Sequence, residues 1–294
     1  MALAHDAYAL LSGLTARWTV NYGKHLQFAG QELPAPKSRR VPTRRGSVRV
    51  HVYCPSNVTA PPVHVHLHGG AFIMRYPAMD DFWCRFLVAE AGVAVVNVDY
   101  LAAPRVRYPV AQEQAHDVLA WLAQHAGEWG LDPARVSIGG FSGGGNLAAS
   151  ACLQARDLGT VKPRLQLLAV PSLDVAGDIH GKPSVVSNPM IGPALLSLVR
   201  KTYFKDASRR AEPYASPLLA PSITGLPPAV VYTAEYDSLR AEGDAYAARL
   251  GAEGLLIEHR VVPGRDHYFL DPDRPDQARE LMSAMAMQVR EALA

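Results

Sequence analysis

From Ser47 onward the chain alternates short, nearly continuous apolar runs with longer stretches in which apolar residues recur at helical spacing. The apolar runs predict strands over 48–54, 63–67, 93–98, 136–140, 165–170, 229–233 and 256–262. The stretches between them predict helices over 80–91, 111–126, 145–158, 241–252 and 277–293. Strands with no polar alternation, separated by helices, are expected in a mostly parallel sheet covered on both faces, so the fold class is α/β. Two regions break the rhythm. Residues 1–45 read as helix-prone without a strand, and 176–215 as a loop and helix excursion between two strands. Insertions after strand ends are where α/β enzymes build pockets, so both segments are expected to cap a site on a core formed by 46–175 and 216–294.

One junction in this pattern carries chemistry. Val136-Ser137-Ile138-Gly139-Gly140-Phe141-Ser142-Gly143-Gly144-Gly145-Asn146 joins an apolar strand to a small-residue helix through a turn centred on a serine. A serine on so sharp a turn sits at positive φ, and the residues two places to either side must be small or they collide. Gly140 and Gly144 meet that requirement, and Gly143 leaves the amide after the serine unobstructed. The segment therefore reads as a nucleophile elbow with Ser142 as nucleophile.

A serine hydroxyl needs a positioned base, and the base an orienting carboxylate. His267 follows the last predicted strand at its C-terminal end, where a base would stand. Asp237 follows the preceding strand in the same way and is the favoured acid, with Glu235, Asp174 and Asp266 as rivals. The oxyanion of an acyl-transfer intermediate requires preorganised donors. His68-Gly69-Gly70-Ala71-Phe72 follows the strand 63–67, so the amides of Gly69, Gly70 and Gly143 are the candidate oxyanion hole. His64, His66 and His68 alternate along that strand and invite a metal reading, but the adjacent glycine pair explains His68 better, as a brace for the loop. No metal and no cofactor is expected.

Composition narrows the remaining choices. A net charge of +2 offers nothing to a nucleic acid, and the basic doublets Arg39-Arg40 and Arg44-Arg45 read as a solvated loop. Three scattered cysteines in apolar contexts suggest buried thiols rather than disulfides, which favours the cytoplasm. The N-terminus lacks the pattern of a signal peptide, and no run approaches the roughly 20 apolar residues of a membrane span.

With the H-G-G-A-F loop, the G-F-S-G-G-G-N-L-A elbow, the E-Y-D-S-L-R segment and the D-H-Y-F segment in that order, the chain resembles the hormone-sensitive-lipase family of α/β-hydrolases from about residue 48 onward. Val98-Asp99-Tyr100-Leu101-Ala102-Ala103-Pro104, Tyr108-Pro109-Val110 and Ser216-Pro217-Leu218 resemble further motifs of that family. The resemblance implies an α/β-hydrolase fold with an eight-stranded, mostly parallel sheet and a helical cap. It also implies serine carboxylesterase activity without metal, with Ser142, Asp237 and His267 as triad and Gly69, Gly70 and Gly143 as oxyanion donors. The expected partner is a small-molecule ester of short to medium acyl chain, with room for a homodimer. An amidase or deacylase using the same triad, and a non-catalytic ligand-binding relative, are the alternatives.

The chain departs from the family pattern at four places. Phe141 stands where the elbow usually has aspartate, Gly143 where it has alanine, Leu101 where the family has arginine, and Arg75 where it often has glycine.

Overall fold

Strand β3 (Pro62–Leu67), with β4 (Ala94–Asp99), β6 (Gln166–Ala169) and β7 (Ala229–Ala234), is buried along its whole length, as a parallel strand covered on both faces must be. A computed structural model describes residues 2–182 and 184–294. These strands join β1 (Lys37–Thr43), β2 (Gly46–Tyr53), β5 (Asp132–Phe141) and β8 (Leu256–Val262) in one sheet of order β1-β2-β4-β3-β5-β6-β7-β8. β2 pairs antiparallel with both β1 and β4, and the remaining neighbours are parallel. This is the α/β-hydrolase fold that the family resemblance implies.

The helices divide between the faces. Helices α3 (Val110–His125), α4 (Gly143–Leu158) and α6 (Arg240–Ala252) pack with Val63, Val65, Leu67 and Ile138 on one side. Helices α2 (Asp81–Ala91) and α7 (Pro275–Ala292) cover Val95, Leu167, Val230 and Tyr232 on the other. The five expected helices are observed with their ends close to the expected bounds, and Gly92 and Gly159 end α2 and α4 in the left-handed conformation.

The N-terminal segment departs from expectation. Lys37–Thr43 forms the edge strand β1, where the sequence pattern predicts no strand before Val48. Only Val41 of that strand is buried, so no alternating apolar signal marks it, and its place comes from pairing with β2. The basic doublets are consequently not a free loop. Arg39 and Arg40 lie on β1, Arg44 pairs with Asp117 and Arg45 pairs with Glu113, both partners being on α3. The part of 1–45 outside the sheet ends before Lys37, and its main element, α1 (Ala2–Thr19), packs against α5 (Pro193–Thr202) of the 176–215 excursion.

Candidate active site

Ser142 occupies the turn between β5 and α4 at φ 56° and ψ −117°. An L-residue there costs roughly 1–3 kcal/mol, so the surroundings must hold it. Its N–H donates to the Ala169 carbonyl at 2.9 Å, and its carbonyl accepts from the amides of Asn146 and Ser172, each at 3.2 Å. The glycines around it are sterically required. A Cβ on Gly144 would stand 1.9 Å from the Leu67 carbonyl oxygen, and one on Gly140 would stand 2.5 Å from Gly144. Gly143 is different, because a Cβ there would make ordinary contacts of 3.5 Å with the Ala71 nitrogen and the Phe72 ring. Strain concentrates here. Of five described non-glycine residues at positive φ, Ala71, Phe72, Ser142 and Val170 surround this turn.

Asn146 supports the elbow and carries no role in the sequence reading. Its side-chain amide donates to the carbonyls of Ser172 and Ala215 at 2.8 and 2.9 Å, and its oxygen accepts from Gln112 at 3.1 Å. A fully buried asparagine one turn into a helix is disfavoured unless its polar atoms are all bonded, and that is the signal that could have found it.

The glycine loop after β3 approaches the elbow closely, since a Cβ on Gly69 would lie 3.9 Å from Ser142 Cβ. Gly70 turns the loop at φ 112°, which favours glycine, and its carbonyl accepts from Ile73 and Met74 at 3.0 and 2.9 Å. Among the described residues, no hydrogen bond takes up the amides of Gly69 or Gly70. Gly143, as the first residue of α4, also has an amide without a helical acceptor. His68 Nδ1 lies 2.6 Å from the Gly69 carbonyl, and Tyr100 donates to the carbonyls of His68 and Gly69 at 2.8 and 3.2 Å. These bonds engage the loop carbonyls, while the Gly69 and Gly70 amides have no acceptor among the described residues.

His267 and Asp237 are brought together. His267 Nδ1 stands 2.7 Å from Asp237 Oδ2, with both side chains almost wholly buried. The other carboxylate oxygen accepts from the Leu239 amide at 3.0 Å. The rival carboxylates are engaged elsewhere. Asp174 accepts from the amides of Ala176 and Gly177, Glu235 from that of Gly264, and Asp266 from those of His267 and Met190. No hydrogen bond joins Ser142 Oγ to the imidazole among the described residues; the two face one cavity.

The three alternating histidines do not converge on a common ligand. His64 Nδ1 lies 2.9 Å from Ser137 Oγ, His66 Nε2 2.8 Å from Asp80 Oδ2, and His68 braces the loop as described. Burial pushes His64 down to about 3 and His68 down to about 4. Both imidazoles are neutral at physiological pH.

One of the sequence departures, Arg75, finds a partner in the strand β4. Arg75 grips Asp99 through Nε and one terminal nitrogen, each at 2.7 Å, while the Leu101 amide donates to Gln114 Oε1 at 2.9 Å.

A strained serine at a strand-to-helix turn, a histidine held by a carboxylate and a glycine loop with free amides, on a sheet of this strand order, define the α/β-hydrolase class. A family model described as alpha/beta hydrolase fold matches residues 64–271, and the chain belongs to that family, in the hormone-sensitive-lipase-like group its motifs resemble. It is 32% identical over 259 residues to the carboxylic ester hydrolase LipN of Mycobacterium tuberculosis, covering 84% of this chain and 69% of that one. It is 34% identical over 235 residues to an arylesterase of Saccharolobus solfataricus, covering 79% and 76%. The esterase of Pyrobaculum calidifontis superposes on all of this chain and 95% of its own with a TM-score of 0.85 at 30% identity.

Proposed function

We propose that this ester-hydrolysing enzyme is a serine carboxylesterase in which Ser142 is the nucleophile, His267 the base and Asp237 its orienting acid, with Gly69, Gly70 and Gly143 as oxyanion donors. The observation that carries the assignment is the 2.7 Å contact between His267 Nδ1 and Asp237 Oδ2 at a cavity shared with the strained serine. Asp237 fixes the ring so that Nε2 is free to take the Ser142 proton as Oγ bonds the ester carbonyl carbon. The imidazolium then returns that proton to the leaving oxygen as the C–O bond breaks. Water, deprotonated by the same imidazole, splits the acyl-enzyme and releases the acid.

Short to medium acyl esters are the substrates in this reading, and 1–36 with 176–215 form the cap. Val20 and Tyr22 from the first segment and Met190, Ile191 and Leu195 from the second line the cavity, which supports it. Unpaired cysteines at 54, 84 and 152 support a cytoplasmic location, and the net charge of +2 supports the absence of a nucleic-acid partner. No described helix is long and apolar enough to cross a membrane.

Hydrolysis of 4-nitrophenyl acetate through octanoate by wild type and Ser142→Ala tests the assignment. The variant should lose at least about 1,000-fold in turnover. Equal hydrolysis by both proteins, or a fluorophosphonate that labels a residue other than Ser142, overturns it.

A further inference from the structure

Tyr22 begins the short turn Tyr22–His25 after α1, and its ring lines the cavity that Ser142 and His267 share. That ring meets Tyr268, the residue after His267, with centroids 4.0 Å apart, and Phe82 with centroids 5.8 Å apart, edge-on in both cases. Its hydroxyl donates to Asp80 Oδ1 at 2.7 Å, while Asp80 Oδ2 lies 2.8 Å from His66 Nε2. Asp80 and His66 are both fully buried. The next residue seats the turn tightly, since a Cβ on Gly23 would stand 2.5 Å from the Phe82 ring.

A buried carboxylate is destabilising unless its oxygens are bonded, so the phenol of Tyr22 satisfies a group that His66 alone would leave half-paired. The pair therefore acts as a fixed anchor for a residue that comes from outside the sheet. The side of the site on which Tyr22 stands follows from the chemistry. The imidazolium must reach the leaving oxygen, so the alcohol departs on the His267 side and the acyl group stays on the opposite side of Ser142. The cavity that contains His267 has a volume of about 190 Å³ and is walled by Tyr22, Phe82, Phe141, Tyr268 and Phe269. A smaller recess of about 30 Å³ beyond Gly143 and Ser172, which His267 does not line, adjoins it through shared Ala71, Ser142, Ile191 and Leu195.

We infer that Tyr22 is a specificity-determining residue for the leaving group, and that Asp80 and His66 are the positioning residues that hold it. Its ring completes an aromatic wall that favours esters of aromatic alcohols over esters of small alkanols. The inference rests on the esterase reading given above.

Phenyl acetate and ethyl acetate form the same acetyl-enzyme, so their kcat/KM ratio reports the leaving-group side alone and does not depend on how much of a sample is folded. Tyr22→Ala should lower kcat/KM for phenyl acetate about 10-fold more than for ethyl acetate, the scale of one or two lost aromatic contacts. Tyr22→Phe keeps the ring but frees it from Asp80, and should shift the ratio about 3-fold in the same direction. Adding Asp80→Asn to Tyr22→Phe should shift it no further, because the two act through one contact. A proportional loss on both esters in Tyr22→Ala, or an unchanged ratio, overturns the inference. If wild type shows no Ser142-dependent hydrolysis of either ester, the esterase reading falls, and this inference with it.

Discussion

The imidazole of His66 meets the ring of Phe141 edge-on, with centroids 5.3 Å apart and planes at 79°. Phe141 also contacts Trp83 and Phe269, at 5.7 and 6.1 Å between centroids, so the space behind the Ser142 turn is aromatic. His66 takes its carboxylate from Asp80. Truncating Phe141 to alanine should cost roughly 3–5 kcal/mol in urea unfolding. Phe141→Asp should cost at least as much, because the new charge would enter an apolar cluster whose histidine is already paired. A Phe141→Asp protein more stable than Phe141→Ala would contradict this account.

Asp237 is the described carboxylate that bonds the His267 ring. Asp237→Asn keeps the shape but presents the wrong hydrogen-bonding partner to Nδ1, and should reduce kcat by about 1,000- to 10,000-fold. Asp174→Asn should change it far less, since among the described residues that side chain bonds only local amides. Comparable losses in the two variants would reassign the acid.

The glycines of the turn separate by what surrounds them. Gly144→Ala drives a Cβ into the Leu67 carbonyl and should prevent accumulation of folded protein. Gly143→Ala should retain activity within a few-fold and raise stability by about 0.4–1 kcal/mol, because the site has room and the unfolded chain loses freedom. Thermal melts and esterase assays on the two purified variants check both expectations.

His64 offers a stability test in acid. Burial lowers it from 6.5 to about 3, so below pH 6.5 the unfolded chain binds a proton that the folded protein refuses. The resulting stability is fully present above pH 6.5 and is lost as pH falls towards 3, at up to about 1.4 kcal/mol per pH unit. His64→Gln removes that dependence while His68 and the other groups remain. Between pH 6.5 and 4 the variant's melting temperature should therefore fall less steeply than that of wild type. Parallel slopes would show that His64 titrates freely in the folded state.

The core sheet and the strained serine turn were legible in the chain because both rest on local rules. Runs such as 63–67 and 229–233 are apolar throughout, since parallel strands are buried on both faces, and Gly140 and Gly144 are demanded by the turn itself. Strand β1 was not legible, because an exposed edge strand with one buried residue carries no periodic signal. Asn146 and Tyr22 were not legible either, for their roles consist of bonds to segments far away in sequence.

The sequence by itself determined the α/β order, the serine turn and the short set of carboxylates and histidines at strand ends. Only the tertiary structure decided which carboxylate holds His267, which separate partners His64, His66 and His68 take, and that Arg75 and Tyr22 reach Asp99 and Asp80. The division has one physical cause. Backbone sterics and burial periodicity act over a few neighbouring residues and leave a pattern in the chain. The bonding of a buried polar group depends on which distant segments fold against it.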